Sequence, residues 1–255
     1  MHPVLIRIGP LSIHTYGVLV AAGFLLGLSL AVRQGKKQGI PPERIIDIGF
    51  YALLAAIVGS RLLFVAINAG HYLKHPLDVM KIWEGGLVFY GGLLLAVPVA
   101  LWYIRKHSLD RGSLMDIFAP SMAVGHAVGR LGCFASGCCY GKPAGVPWAV
   151  TFLDPECLAR TGIPLHPTQL YESLGEFLNF LILITLRRWQ SFKGQLFWTY
   201  IVLYSALRFT VEFFRGDAAR GYVVAGISVS QGISVMIGLA AVVVIAKRIR
   251  HKTAH

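Results

Sequence analysis

Five ionisable side chains within largely apolar stretches of this sequence invite a reading: Arg61, Arg130, Arg208, Glu172 and Glu212. A charge among apolar neighbours costs several kcal/mol unless it faces a partner, a binding cavity or water. Arg208 and Glu212 are four residues apart, one helical turn, so a structural ion pair is one reading of them. Arg130 is different. It sits in Gly129-Arg130-Leu131-Gly132, where the glycines clear space around the guanidinium and let a bulky ligand reach the backbone. An arginine fork in such a place suits a phosphate, which it holds through two parallel charge-assisted hydrogen bonds.

Other chemistry-bearing residues gather near the same ends of the apolar stretches. His14 and Tyr16 open the first. Glu84, Gly85, Gly86, Tyr90, Gly91 and Gly92 open the third. His166, Pro167, Thr168, Gln169, Tyr171 and Glu172 open the fifth, while Tyr204, Arg208 and Glu212 share one face of the sixth. Trp148 and Tyr222 read as aromatic belt residues at a membrane interface. Together the groups describe a cationic, tyrosine-lined cavity whose expected occupant is an anionic amphiphile such as a phospholipid.

The elements that must position these residues follow from composition. Of 255 residues, 55% are hydrophobic and 14% charged, against about 25% charged in soluble domains. The apolar residues fall into blocks of about 20, the length of a helix crossing hydrocarbon. Seven blocks, 11–32, 45–68, 86–104, 114–131, 168–186, 195–214 and 226–246, predict an all-α, polytopic membrane protein forming a single membrane domain over 1–255. The first block is long, lacks a basic start and is followed by no small-residue cleavage site, unlike a cleavable signal peptide. Basic residues cluster after block one (Arg33, Lys36, Lys37, Arg44), after block three (Arg105, Lys106, Arg111), after block five (Arg187, Arg188, Lys193) and in the tail (Lys247, Arg248, Arg250, Lys252). The intervening loops hold half as many, so the N-terminus is expected outside and the C-terminus inside. The net charge of +12 is therefore read as topology and lipid attraction, not nucleic-acid binding.

Residues 132–167 form the one long connection, expected outside. It carries Cys133, Cys138, Cys139 and Cys157. A disulfide from Cys138 or Cys139 to Cys157, buried small residues facing helices, and a reactive thiol all fit that spacing. A zinc site fits poorly because there is no C-x-x-C pair, so no metal and no cofactor are expected. Gly23 and Gly27 read as helix-packing positions.

Several runs together resemble a known family. They are Ile13-His14-Thr15-Tyr16-Gly17, Phe89-Tyr90-Gly91-Gly92-Leu93, Gly129-Arg130-Leu131-Gly132-Cys133-Phe134, His166-Pro167-Thr168-Gln169-Leu170-Tyr171-Glu172, and Tyr204 to Arg215 with its Val211-Glu212-Phe213-Phe214-Arg215 end. In this order they are similar to the bacterial prolipoprotein diacylglyceryl transferases. The resemblance implies seven transmembrane helices with the N-terminus outside, in the bacterial inner membrane, with the site toward the outer leaflet. It implies transfer of the diacylglyceryl group of phosphatidylglycerol to the lipobox cysteine of a prolipoprotein, releasing glycerol phosphate. By the same resemblance Arg130 holds the headgroup, with Tyr16, His14, Gly132, Gly137, Gly141, Gln169 and Tyr171 around the substrate. Arg208, Tyr204, Glu212, His166 and Tyr90 form the catalytic set.

The chain also departs from the family pattern. Cys133 and Ser136 replace two asparagines of the G-R-[IL]-G-N-F-x-N-G-E signature, Cys138 replaces its glutamate, and Tyr90 stands where the family has a histidine. Two other readings fit the altered signature: a paralogue that moves a lipid group to another acceptor, and a lipid-binding or anion-transporting membrane protein.

Overall fold

In a computed structural model the described residues are 2–9, 11–81, 85–216, 222–224 and 227–253. Glu84 lies outside them. Each of the seven apolar blocks carries a long helix: α1 (Thr15–Lys36), α2 (Pro42–Ile67), α4 (Phe89–Lys106), α5 (Arg111–Ser136), α6 (Thr168–Leu186), α7 (Gln195–Glu212) and α8 (Val229–Thr253), with a single turn, α3 (Ala69–Tyr72), after α2. The fold is mostly helical but not all-α. Three two-stranded antiparallel ribbons accompany the helices: β1 (Val4–Ile8) with β2 (Leu11–His14), β3 (Val150–Thr151) with β4 (Pro164–Leu165), and β5 (Tyr222–Val224) with β6 (Ile227–Ser228).

Three boundaries differ from the sequence expectation. The apolar run from Leu11 begins as strand, with His14 opposite Val4, because Leu11-Ser12-Ile13-His14 alternates with the period of a strand. Helix α5 runs through Gly132 and Cys133 to Ser136, which shortens the long connection. Helix α8 continues through the basic tail to Thr253.

Helix α1, helix α2 and residues Val229–Arg250 of α8 are long and apolar enough to cross a membrane, with mean hydropathies of 2.0, 2.1 and 2.2. In each, only 17% of the most apolar window is buried. Apolar helices that turn so much of their surface outward suit hydrocarbon, not water.

The chain divides into two compact units, Met1–Ala31 with Gly112–His255, and Val32–Arg111. In the second unit α2 and α4 touch backbone to backbone at Gly59 and Gly91, a contact only glycine permits. Arg61 belongs there and is structural. Its guanidinium donates to the carbonyls of Asp78 (2.6 Å), Val79 (3.0 Å), Gly85 (2.7 Å) and Gly86 (3.3 Å) and lies against the rings of Phe64 and Tyr72.

In the first unit Gly23 and Gly27 bring α1 onto α5, where an added Cβ at either would lie 2.6 Å from a carbonyl of Gly125 or Ser121. Ala119, Ala123, Leu183, Leu196 and Tyr200 join α5, α6 and α7 in a core. Beside it Asp116 of α5, almost fully buried, accepts the amides of Gly194 (2.5 Å) and Phe197 (3.2 Å) and the Gln190 side chain. It caps α7 from another helix and supplies the partner that the first amides of α7 lack. Asp116→Ala is expected to cost about 1–2 kcal/mol, read as a lower midpoint of thermal unfolding in detergent, with Asp116→Asn retaining part of the loss.

Candidate active site

Helix α5 delivers Arg130 and helix α6 delivers Glu172, and the two side chains meet, Nη2 donating to Oε2. Both are withdrawn from solvent, at 12% and 1% side-chain exposure. The other arm of Arg130, Nη1, reaches 3.5 Å from Cys133 Sγ, one turn on. Gly132 keeps α1 close: an added Cβ would stand 3.2 Å from the Tyr16 carbonyl. A second pair lies on α7, where Arg208 Nη2 donates to Glu212 Oε2 at 2.6 Å and Arg215 Nε stands 3.9 Å from the same oxygen. Arg208 is near enough to act on the charge of Glu172, so the two pairs share one field.

Neither arginine is saturated. Among the described residues Arg130 Nε, Arg208 Nη1 and Glu172 Oε1 are buried with no hydrogen-bond partner. A buried N–H that gives no hydrogen bond costs about 1–3 kcal/mol. Each of the two cations thus keeps one buried donor that an oxyanion could accept from.

Tyr204 adjoins these pairs, within the field of Arg208 and Arg130. Its ring also lies 5.6 Å from that of His126, whose Nδ1 is 3.4 Å from Glu176 Oε1. Glu176 is fully buried on α6, one turn beyond Glu172. His126, Glu176 and Asp116 escaped the sequence reading. The signal was there, since each is an ionisable residue in an apolar block, and His126 precedes Arg130 by one helical turn.

His166 makes a polar joint at the mouth of α6. Trp148 Nε1 donates to Tyr171 Oη at 2.7 Å, and the Tyr171 hydroxyl is hydrogen-bonded to His166 Nδ1 at 3.0 Å. The backbone of His166 pairs with Lys142 and Gly141, both at 3.0 Å. Trp148, expected as a belt residue, is thus a hydrogen-bond partner.

The signature glycines shape the chain around this joint. A Cβ at Gly141 would lie 2.5 Å from the Cβ of His166, and Gly137 turns the chain after α5 at φ +74°. Gln169 Nε2 donates to the Cys138 carbonyl and Thr168 Oγ1 to that of Cys139, both at 2.7 Å.

The remaining expected residues are more peripheral. Tyr16 opens α1, 45% exposed and within electrostatic reach of Arg130 and the cysteines. His14 ends β2 in an exposed position. Tyr90 belongs to the second unit, in the first turn of α4, 57% exposed with its ring against Phe89.

The four cysteines are unbridged. Cys157 packs with Phe152, Ala159 and Leu165, and burial pushes its thiol up. The Sγ atoms of Cys133, Cys138 and Cys139 lie within 4.8 Å of one another. The lack of a C-x-x-C pair does not keep these thiols apart, because the turn after α5 folds Cys138 and Cys139 back over Cys133.

With this geometry in view, the comparisons with known proteins are direct. The profile of the family described as "Prolipoprotein diacylglyceryl transferase" matches residues 3–247. Proteins called phosphatidylglycerol--prolipoprotein diacylglyceryl transferase are similar along nearly their whole length. The one from Bordetella bronchiseptica is 39% identical over 93% of this chain and 92% of its own. That from Geobacter sulfurreducens is 35% identical over 96% of both. That from Bacillus velezensis is 34% identical over 98% of this chain and 93% of its own. The chain belongs to the prolipoprotein diacylglyceryl transferase family.

The Trp148–Tyr171–His166 joint is expected to behave as a unit. Tyr171→Phe and Trp148→Phe should each lower stability by about 1 kcal/mol. The double variant should lose less than their sum, a coupling that a thermal-unfolding mutant cycle detects.

Proposed function

We infer that this chain transfers the diacylglyceryl group of phosphatidylglycerol to the lipobox cysteine thiol of prolipoproteins. The observation that carries the reading is the pair of buried arginines, each tied to a carboxylate and each keeping an N–H without a protein partner. Family membership supplies the reaction class.

The chemistry asks for that arrangement. The lipobox thiolate attacks the glycerol carbon that bears the phosphoester oxygen. A C–S bond forms, the C–O bond breaks, and both of its electrons leave on the phosphate, which departs as glycerol phosphate. The phosphodiester goes from one negative charge to two, and Arg130 and Arg208 stabilise the new charge in a site withdrawn from water. The same positive field favours the thiolate, whose thiol has a pKa of about 8.5 in water.

We assign the proton-acceptor role to His126, the imidazole held beside Tyr204 and Glu176. It takes the place of the family histidine that Tyr90 replaces. His166, hydrogen-bonded through Nδ1 to Tyr171, holds the loop over α6. Tyr204, Glu212, Tyr16, Tyr171, Gln169 and the three signature glycines shape or support the headgroup site. All seven long helices are read as spans, with the N-terminus outside, the C-terminus inside and the site toward the outer leaflet, a reading that the distribution of basic residues supports. The partners are phosphatidylglycerol, prolipoproteins and the surrounding membrane lipids.

The test is an assay in detergent micelles with phosphatidylglycerol and a lipobox peptide, read by mass. The peptide is expected to gain one diacylglyceryl unit, and peptide Cys→Ser to gain none. No gain by folded, lipid-binding protein would favour another acceptor or a transport role. Arg130→Ala and Arg208→Ala should each reduce kcat by about 100-fold or more while leaving helix content unchanged. His126→Gln should be most impaired near neutral pH and recover toward pH 9, as the peptide thiol ionises without help. A uniform loss across pH would deny His126 the acceptor role.

A further inference from the structure

The cysteine cluster at the end of α5 is used by no step of the transfer reaction. Three features of it coincide. The Sγ atoms of Cys133, Cys138 and Cys139 lie within 4.8 Å of one another, and no fourth His, Cys, Asp or Glu among the described residues joins the group. A metal–sulfur bond of about 2.3 Å puts the three sulfurs of a trigonal site about 4 Å apart, so closing the cluster on an ion takes movements of an ångström or less. The loop that presents the thiols is held from outside. Gly137 (φ +74°) and Cys139 (φ +61°) reverse the chain through left-handed conformations, the second unusual for a residue with a side chain. Gln169 and Thr168 then pin the carbonyls of Cys138 and Cys139 from α6.

Cys157 stands apart from the three, buried among apolar side chains.

We propose that Cys133, Cys138 and Cys139 form a binding site for one soft, thiophilic monovalent cation, copper(I). Three thiolate ligands without a fourth protein ligand match its softness and its acceptance of trigonal coordination, where zinc would seek a tetrahedral set. Binding forms three Cu–S bonds and releases the three thiol protons to solvent, with no change of oxidation state. The bound cluster carries a net charge of two minus, next to the Arg130 guanidinium. Cys133 Sγ lies 3.5 Å from Arg130 Nη1, so occupancy of the thiol site bears on the arginine assigned to the headgroup.

The experiment is an anaerobic titration of the reduced, purified protein with copper(I) in competition with a chromophoric copper(I) chelator. It needs no turnover and so stands apart from the transferase assay. The expected result is one copper retained per chain, with thiolate-to-copper charge-transfer absorption in the ultraviolet. Cys133→Ser, Cys138→Ser and Cys139→Ser should each weaken retention at least tenfold, while Cys157→Ser retains it in full. Retention of copper by the triple serine variant, or surrender of all copper by the folded parent protein to the chelator, would overturn the proposal.

Discussion

The Arg130–Glu172 pair sets the terms for the rest of the first unit. Withdrawing both charges from water is expensive, and their attraction repays the cost only while the geometry holds. Removing one partner of such a pair leaves an uncompensated buried charge, at a cost of about 3–5 kcal/mol. Helices α5 and α6 are therefore held in register at the depth where these two residues meet. Ser173, which donates to the Ala127 carbonyl at 2.8 Å, repeats the constraint beside it. Arg208 and Glu212 add a second pair in the same field, within the single helix α7.

From that constraint the neighbouring features gain their meaning. Because α5 and α6 are fixed together, the first turn of α6 can hold the loop that leaves α5, through Thr168 and Gln169. Gly141 lets His166 come close enough for backbone pairing, and Tyr171 with Trp148 closes the joint. The proposed binding site is thus a set of charges on helices, beside a loop pinned to one of them. Rigid helices carry the cations, and this is the arrangement that electrostatic stabilisation of a departing phosphate requires.

Much of this was legible in the sequence, for stated physical reasons. A charge in an apolar block marks itself, and of those so marked Arg130 meets Glu172 and Arg208 meets Glu212. The helices were legible because apolar runs of this length have few other uses. Less local features were not. Arg61 obeyed the same rule as Arg130, yet it proved to be tied to the carbonyls of Asp78, Val79, Gly85 and Gly86, since carbonyls can satisfy a guanidinium as well as a phosphate can. The alternation at Leu11–His14 was too short to stand out against the helix that follows it. The thiol cluster depends on left-handed backbone at Gly137 and Cys139, which spacing does not reveal. Trp148 could not be told from a belt residue until Tyr171 was seen to face it.

The central claim is that the two buried arginines form one receptor for an anionic headgroup. Native mass spectrometry of the protein released from mixed micelles of phosphatidylglycerol and phosphatidylcholine tests it most directly. The account predicts one phosphatidylglycerol retained per chain, lost when either Arg130 or Arg208 is replaced by alanine, and no preferential retention of phosphatidylcholine. Equal retention of the two lipids, or phosphatidylglycerol binding indifferent to both arginines, would contradict it.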